Sequence, residues 1–144
     1  MQTPQSPEKS TAKPNTRRWL PLAIALLVAG FIALAVSLLP SGYSQDFSLI
    51  GKGGNVMVLV HDHNVVQSMA TMDAMNAVRD EYEGRVKFLV ADRYVVEGAQ
   101  FAQAHGMRSV GLIFFAPSGD TIHITDTTQD AESLRKNINK AFNL

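Results

Sequence analysis

Two histidines flank an aspartate at His61-Asp62-His63, and Ser68 and Met69 follow within eight residues of the first. Imidazole nitrogen and thioether sulfur both ligate copper, so His61, His63 and Met69 define one candidate chemistry, a metal-handling site. Histidines two apart point to one side of an extended segment. The plainer alternative is a polar strand end with solvated imidazoles. Ser68 defines a second candidate, a hydrolytic nucleophile with His61 or His63 as its base. No orienting acid or oxyanion device accompanies it, and a serine in the first turn of a helix ordinarily bonds its own backbone. Met69, Met72 and Met75 look like a methionine motif, but each step of three turns the side chain back by about 60° on a helix. Met75 therefore belongs with Val78 and Tyr82 on a core face, and Met69 with Asp73, Asn76 and Asp80 on the wet one. One ion cannot take all three.

The chain has no cysteine among its 144 residues, which removes disulfides, thiol catalysis and thiolate metal sites from consideration. Its zero net charge conceals an asymmetry. Lys9, Lys13, Arg17 and Arg18 against Glu8 give the first 18 residues +3, and the rest carries −3. A nucleic-acid partner calls for a basic stripe on the folded part, and the folded part is acidic.

The elements that must position these residues are legible from periodicity. Residues 56–60, Val-Met-Val-Leu-Val, read as a strand buried on both faces. Polar residues 61–64 follow it, and Asn64 stands where an N-cap would open a helix over 65–83. Gly84 occupies the C-cap position. A second strand is expected over 86–91 and a helix over 95–105, with Asp92 and Glu97 as capping acids and Gly106 as the stop. A third strand over 110–116 turns through 117–120 into a half-exposed fourth over 121–125. A closing helix from about residue 130 carries Leu134, Ile138 and Phe142 on one stripe. No internal repeat stands out. The order β-α-β-α-β-β-α predicts an α/β domain whose four-stranded mixed sheet is covered by helices on both faces. In such sheets the carboxyl ends of the strands are where ligands and chemistry are placed.

Ahead of this domain the composition changes. Residues 1–18, rich in Pro, Ser, Thr, Gln and Lys, lack the apolar surface to offset their ordering entropy and read as a disordered cytoplasmic tail. Residues 19–39 carry no charge and span about 30 Å as a helix, the thickness of bilayer hydrocarbon. Trp19 suits an interface, Pro21 a first helical turn and Pro40 a helix end. Arg17-Arg18 place the tail inside by the positive-inside rule, with a linker over 40–54 and a domain over 55–144 across the membrane. A cleaved signal, cut at Gln45 after Gly42 and Ser44, is the rival reading; the apolar core exceeds the length usual for one. Thr16-Arg17-Arg18 faintly matches a twin-arginine signal, against which Pro21 and the apolar core argue. Ala25, Ala29, Ala33 and Ser37 form a small-residue stripe of the kind that allows membrane helices to associate. Within the linker, residues 46–50 suggest a short edge strand.

Beyond these readings, residues 56–85 resemble the thioredoxin family without a gap. Val58-Leu59-Val60 matches its central strand, and Asp80-Glu81-Tyr82-Glu83-Gly84-Arg85 the end of its long helix. His105-Gly106-Met107-Arg108-Ser109-Val110-Gly111 resembles the segment bearing the family's cis-proline, and Ser118-Gly119-Asp120 its hairpin turn. The resemblance covers about residues 55–143, with a few additional residues near Tyr94 to Glu97. It implies a thioredoxin-like fold, and the departures carry the chemistry. The two redox cysteines fall on Val65 and Ser68, the preceding tryptophan on Asn64, the buried acid on Leu59 and the cis-proline on Gly111. Disulfide exchange needs a low-pKa thiolate and a resolving thiol, and neither is present. What the resemblance leaves is a polypeptide-binding face at Asn64, Val65, Val66, Gln67, Ser68, Val110 and Gly111. The expectation is thus a non-enzymatic, cofactor-free, single-pass protein of the bacterial inner membrane. Its domain is periplasmic, and its partners are the bilayer and another extracytoplasmic or membrane protein, with metal handling as the alternative.

Overall fold

The computed structural model describes residues 19–37, 42–126 and 130–144. The chain divides into two compact units, Met1–Ser41 and Gly42–Leu144. In the first, α1 runs Leu20–Ser37, 18 residues or about 27 Å, with no buried residue. By length and composition it is able to cross a membrane, with a mean hydropathy of 2.5. The expected tail over 1–18, and residues 38 and 39 of the expected span, lie outside the described residues. The Ser37 hydroxyl donates to the Ala33 carbonyl at 2.8 Å, so this polar group is satisfied within its own helix.

The second unit is an α/β domain on a four-stranded mixed sheet. Its elements are β1 Asn55–His61, α2 Val66–Val78, β2 Val86–Asp92, α3 Val96–Ala104, β3 Gly111–Phe115, β4 Thr121–Thr125 and α4 Ala131–Phe142. The strand order is β2-β1-β3-β4. β1 lies parallel to β2 (Val58 beside Leu89) and antiparallel to β3 (Val58 beside Ile113). β3 and β4 form the antiparallel hairpin, with a register shift at Phe114/Phe115.

The period-two alternation of β1 explains why helices are needed on both faces. Met57 and Leu59 join Met75, Val78, Tyr82, Leu112, Phe114, Leu134 and Ile138 in a core under α2 and α4. Val56, Val58 and Val60 point the other way, into a core with Leu89, Phe101, Ala102, Ile113 and Phe115 under α3. All five residues Val56 to Val60 are fully buried. The face of α2 is as the helical geometry requires: Met75 is buried, Met72 half-buried and Met69 exposed. After Val78 the helix tightens into a 3-10 turn, Arg79–Tyr82, before Gly84. Arg135 clamps this turn to α4 through two bonds to the Glu81 carboxylate, at 2.8 and 2.6 Å. The buried Tyr82 donates to Asn139 Oδ1 at 2.9 Å, and burial is the main cause raising its phenol pKa.

The expected edge strand over 46–50 is instead a 3-10 turn, Phe47–Leu49. Asp46 captures the Ser48 backbone N–H at 3.1 Å, which competes with ladder bonding. The turn directs Phe47 onto Phe101, ring centroids 4.2 Å apart, and packs Leu49 and Ile50 on the α3-side core. Helix α3 has only nine residues and leaves part of that face to be covered. Among the described residues of the linker, strand-like pairing is confined to Ser44, which bridges Leu89.

Candidate functional site

His61 and Asp92, the last residues of β1 and β2, stand side by side in the parallel register. Each strand then leaves the sheet through the same kind of turn. Asp62 Oδ1 accepts the Asn64 N–H at 2.9 Å, and the Asp62 carbonyl accepts the Val65 N–H at 3.0 Å. Asp92 Oδ1 accepts the Tyr94 N–H at 2.8 Å, and its carbonyl accepts the Val95 N–H at 3.1 Å. These are Asx turns, which aspartate favours because its short carboxylate reaches the backbone two residues on. The residue that follows each turn, Val65 or Val95, is the helix N-cap, and neither makes a side-chain capping bond. An Asp-x-x-Val-Val segment thus recurs thirty residues later, at 62–66 and 92–96. These turns correct the assignment of Asn64 as N-cap of α2 and of Asp92 as a cap of α3. Both side chains serve the turns before the helices.

The two turns are bonded to each other. The Arg93 N–H donates to the His61 carbonyl at 3.1 Å. Asn64 Nδ2 donates to the Tyr94 hydroxyl at 2.5 Å, and that hydroxyl donates to Asp62 Oδ1 at 3.3 Å. The His63 and Tyr94 rings lie 4.3 Å apart, and Arg93 forms a loose ion pair with Asp62 at 3.9 Å. This network fixes a rim at the carboxyl ends of β1 and β2. Large apolar surface lies open on it: Val66 is 79% exposed, Val96 67% and Tyr94 59%.

Ser68 lies beneath the rim with no exposed surface. Its Oγ accepts the Asp62 N–H at 3.0 Å and shares a 2.7 Å hydrogen bond with His61 Nδ1. Strand end, turn and helix are therefore stapled through one hydroxyl. The serine–histidine pair sought as a nucleophile and base is present, but the oxygen is sealed in and already bonded, with no approach for an acyl group. The same bond occupies one ring nitrogen of His61, while the His63 ring packs tilted against Tyr94 and Met69 lies exposed on α2. Among the described residues no group of three or more His, Cys, Asp or Glu side chains gathers where it could hold a metal ion.

The remaining members of the expected face separate by burial. Asn64, Val66 and Gln67 are exposed and Val65 is half-buried, whereas Ser68, Val110 and Gly111 are buried. Gly111 does not leave its backbone open to another chain. A Cβ there would lie 2.5 Å from the Thr125 carbonyl oxygen, 2.7 Å from Met107 Cε and 2.9 Å from Asp126 Cα. Its missing side chain makes room for this chain's own hairpin. Tyr94, Val95 and Val96 were not among the expected residues. The recurrence of Asp-x-x-Val-Val one strand–helix unit on was the signal that could have found them.

No family model and no curated protein matches the chain. Solved structures do: 92 chains match, among them one described as "Structure of a malarial protein". At 13% identity it covers 61% of this chain and 97% of its own length, with a TM-score of 0.54. That likeness is one of fold, and it agrees with the α/β architecture built above.

Proposed function

We propose that the chain is a single-pass membrane protein whose thioredoxin-like domain lies outside the cytoplasm, in a bacterial periplasm, and binds a polypeptide partner as an adaptor, chaperone-like or assembly factor. The fold assignment draws support from the β2-β1-β3-β4 order with one parallel and two antiparallel pairings, which fits the residues that resemble that family. The anchor draws support from the length and hydropathy of α1, and the orientation from the basic residues before it. Thiol–disulfide exchange is closed to this chain because it has no cysteine.

The observation that carries the binding reading is the apolar rim. Two valines that open helices and a turn tyrosine stand exposed where the two turns are bonded to each other. Burying a fully exposed valine contributes about 1.5 kcal/mol or more, so Val66 and Val96 together offer a partner about 3 kcal/mol before any hydrogen bond forms. Rigid turns also spare the partner the entropy of ordering them. Photo-reactive residues placed at Val66 and at Val96 should crosslink one and the same protein in intact membranes. The same probe at the exposed Lys136 on α4 should not capture it. Equal capture from all three positions would remove the binding reading.

A further inference from the structure

Five arginines lie in the second unit, and three of them are spent on the fold. Arg135 clamps Glu81, Arg85 donates to the Glu81 carbonyl and lies over the Tyr82 ring, and Arg79 lies over the Tyr43 ring at 4.8 Å. The other two, Arg93 and Arg108, line a single open pocket with Gln103. Among the described residues the Arg93 side chain has only the loose 3.9 Å contact to Asp62, whose carboxylate already serves Asn64 and Tyr94. Arg108 makes no ion pair or hydrogen bond among the described residues. The rest of the described lining is Ala99, Ala102, Gly106 and Met107, with no acid among these residues.

This arrangement is unusual for the domain that holds it. The chain beyond residue 18 carries −3, yet its two least-engaged arginines both line one pocket that has no acid among its described lining residues. Guanidinium is the donor fork that fits carboxylate bidentately, and a small apolar floor admits the methylene or backbone that carries the carboxylate. The pocket adjoins the rim, because Arg93 lies between Asp92 and Tyr94, and Ala99 is one helical turn beyond Val95. We infer that this pocket takes a carboxylate of the polypeptide whose apolar side chains pack on Val66 and Val96. The group is either an Asp or Glu side chain or the chain's own C-terminus. This rests on the binding reading of the rim and adds the chemistry that selects the partner: an extended segment with apolar residues beside one negative charge.

The test uses the full chain in lipid nanodiscs and a synthetic library of random octapeptides, made once with free and once with amidated C-termini. Enriched peptides should be apolar and carry a carboxylate, on a side chain or at the C-terminus. The free-ended library shows whether a terminal carboxylate serves, and the amidated one whether a side chain does. In the Arg93→Gln, Arg108→Gln double variant the acidic preference should fall at least about tenfold while the apolar preference persists, as expected when charge-assisted hydrogen bonds are lost. Val66→Asp with Val96→Asp should remove the apolar preference instead. Enrichment that favours neither acidic residues in the amidated library nor free over amidated C-termini, or a carboxylate preference unchanged in the double arginine variant, overturns the pocket and leaves the rim reading standing. Absence of any enrichment on the unmodified chain overturns both. Circular dichroism of each variant guards against loss of fold, and the single variants Arg93→Lys and Arg108→Lys should retain partial preference because charge survives without the fork.

Discussion

Replacing Ser68 by alanine removes one oxygen from a site with no exposed surface, and the structure allows the cost to be worked out. Two hydrogen bonds disappear, one from the Asp62 N–H and one shared with His61 Nδ1. A lost intramolecular bond costs about 1 kcal/mol net, and a buried donor left without a partner about 1–3 kcal/mol. His61 and Asp62 are only half-buried, so water recovers part of this, and a total of about 2–3 kcal/mol is expected. For a domain of this size each kcal/mol lowers Tm by roughly 4–8 °C, so Ser68→Ala should melt about 10–20 °C lower. Ser68→Cys, close in volume but a weak hydrogen-bonding group, should fall between the two. The assay is thermal unfolding of the full chain followed by far-ultraviolet circular dichroism. A fall of less than about 3 °C for Ser68→Ala would refute the staple, since it corresponds to less than about 1 kcal/mol.

Other perturbations read other parts of the structure. Gly98→Ala gains about 1 kcal/mol of helix propensity, but its Cβ would clash with the Asp92 carbonyl oxygen and lie 2.6 Å from the Asp92 nitrogen, so melting should fall. Gly111→Val should likewise lower Tm, through its clash with the Thr125 backbone, and is a core probe, not a binding probe. Hydrogen bonding from Arg135 lowers the Glu81 pKa, and bonds from the Ser133 backbone and hydroxyl lower that of Asp130. Groups depressed on folding stabilise above their ordinary value near about 4 and lose that contribution as pH falls through the folded value. Melting should therefore drop below about pH 4, and Glu81→Gln should make that acid limb shallower in a Tm-against-pH series. For topology, the full chain should stay with membranes through a carbonate wash, and a reporter active only outside the cytoplasm should be active when fused after Leu144. A soluble fragment starting near Gln45 would instead mean a cleaved signal.

The sheet and its helices were legible because their signals are local and redundant. Val56 to Val60 is rich in β-branched residues, apolar and bounded by polar residues, and α4 carries Leu134 and Ile138 on one plain apolar stripe. Gly84 and Gly106 follow the helices they were expected to end. The failures share another cause, competition among nearby polar groups that periodicity does not weigh. Asn64 is a good N-cap residue by type, but Asp62 two residues earlier claims its backbone and Tyr94 its side chain. Asp46 and Ser48 turn a stretch whose apolar residues are Phe47, Leu49 and Ile50 into a 3-10 turn in the same way. Of the expected binding face, Val66 was read from an exposed position at the strand end and is exposed. Gly111 was misread because the long-range approach of Thr125, which occupies its missing side chain, leaves no mark in the neighbouring residues. Tyr94, Val95 and Val96 lie where the expected resemblance offers no matching residues, so it points to none of them.

The central claim, that the paired turns bind a polypeptide, is tested most directly by the Val66→Asp, Val96→Asp double variant of the full chain. Both positions open helices that lack a side-chain cap, so a carboxylate there interacts favourably with the free N–H groups, and Tm should hold or rise slightly. The measurement is the yield of the adduct formed in intact membranes by a photo-reactive residue at Gln67, which is exposed between the turn and Ser68. Charge on both valines should cut that yield at least about tenfold, the loss expected when about 3 kcal/mol of apolar burial is withdrawn and some is recovered by rearrangement. An undiminished yield at an unchanged Tm would contradict the account.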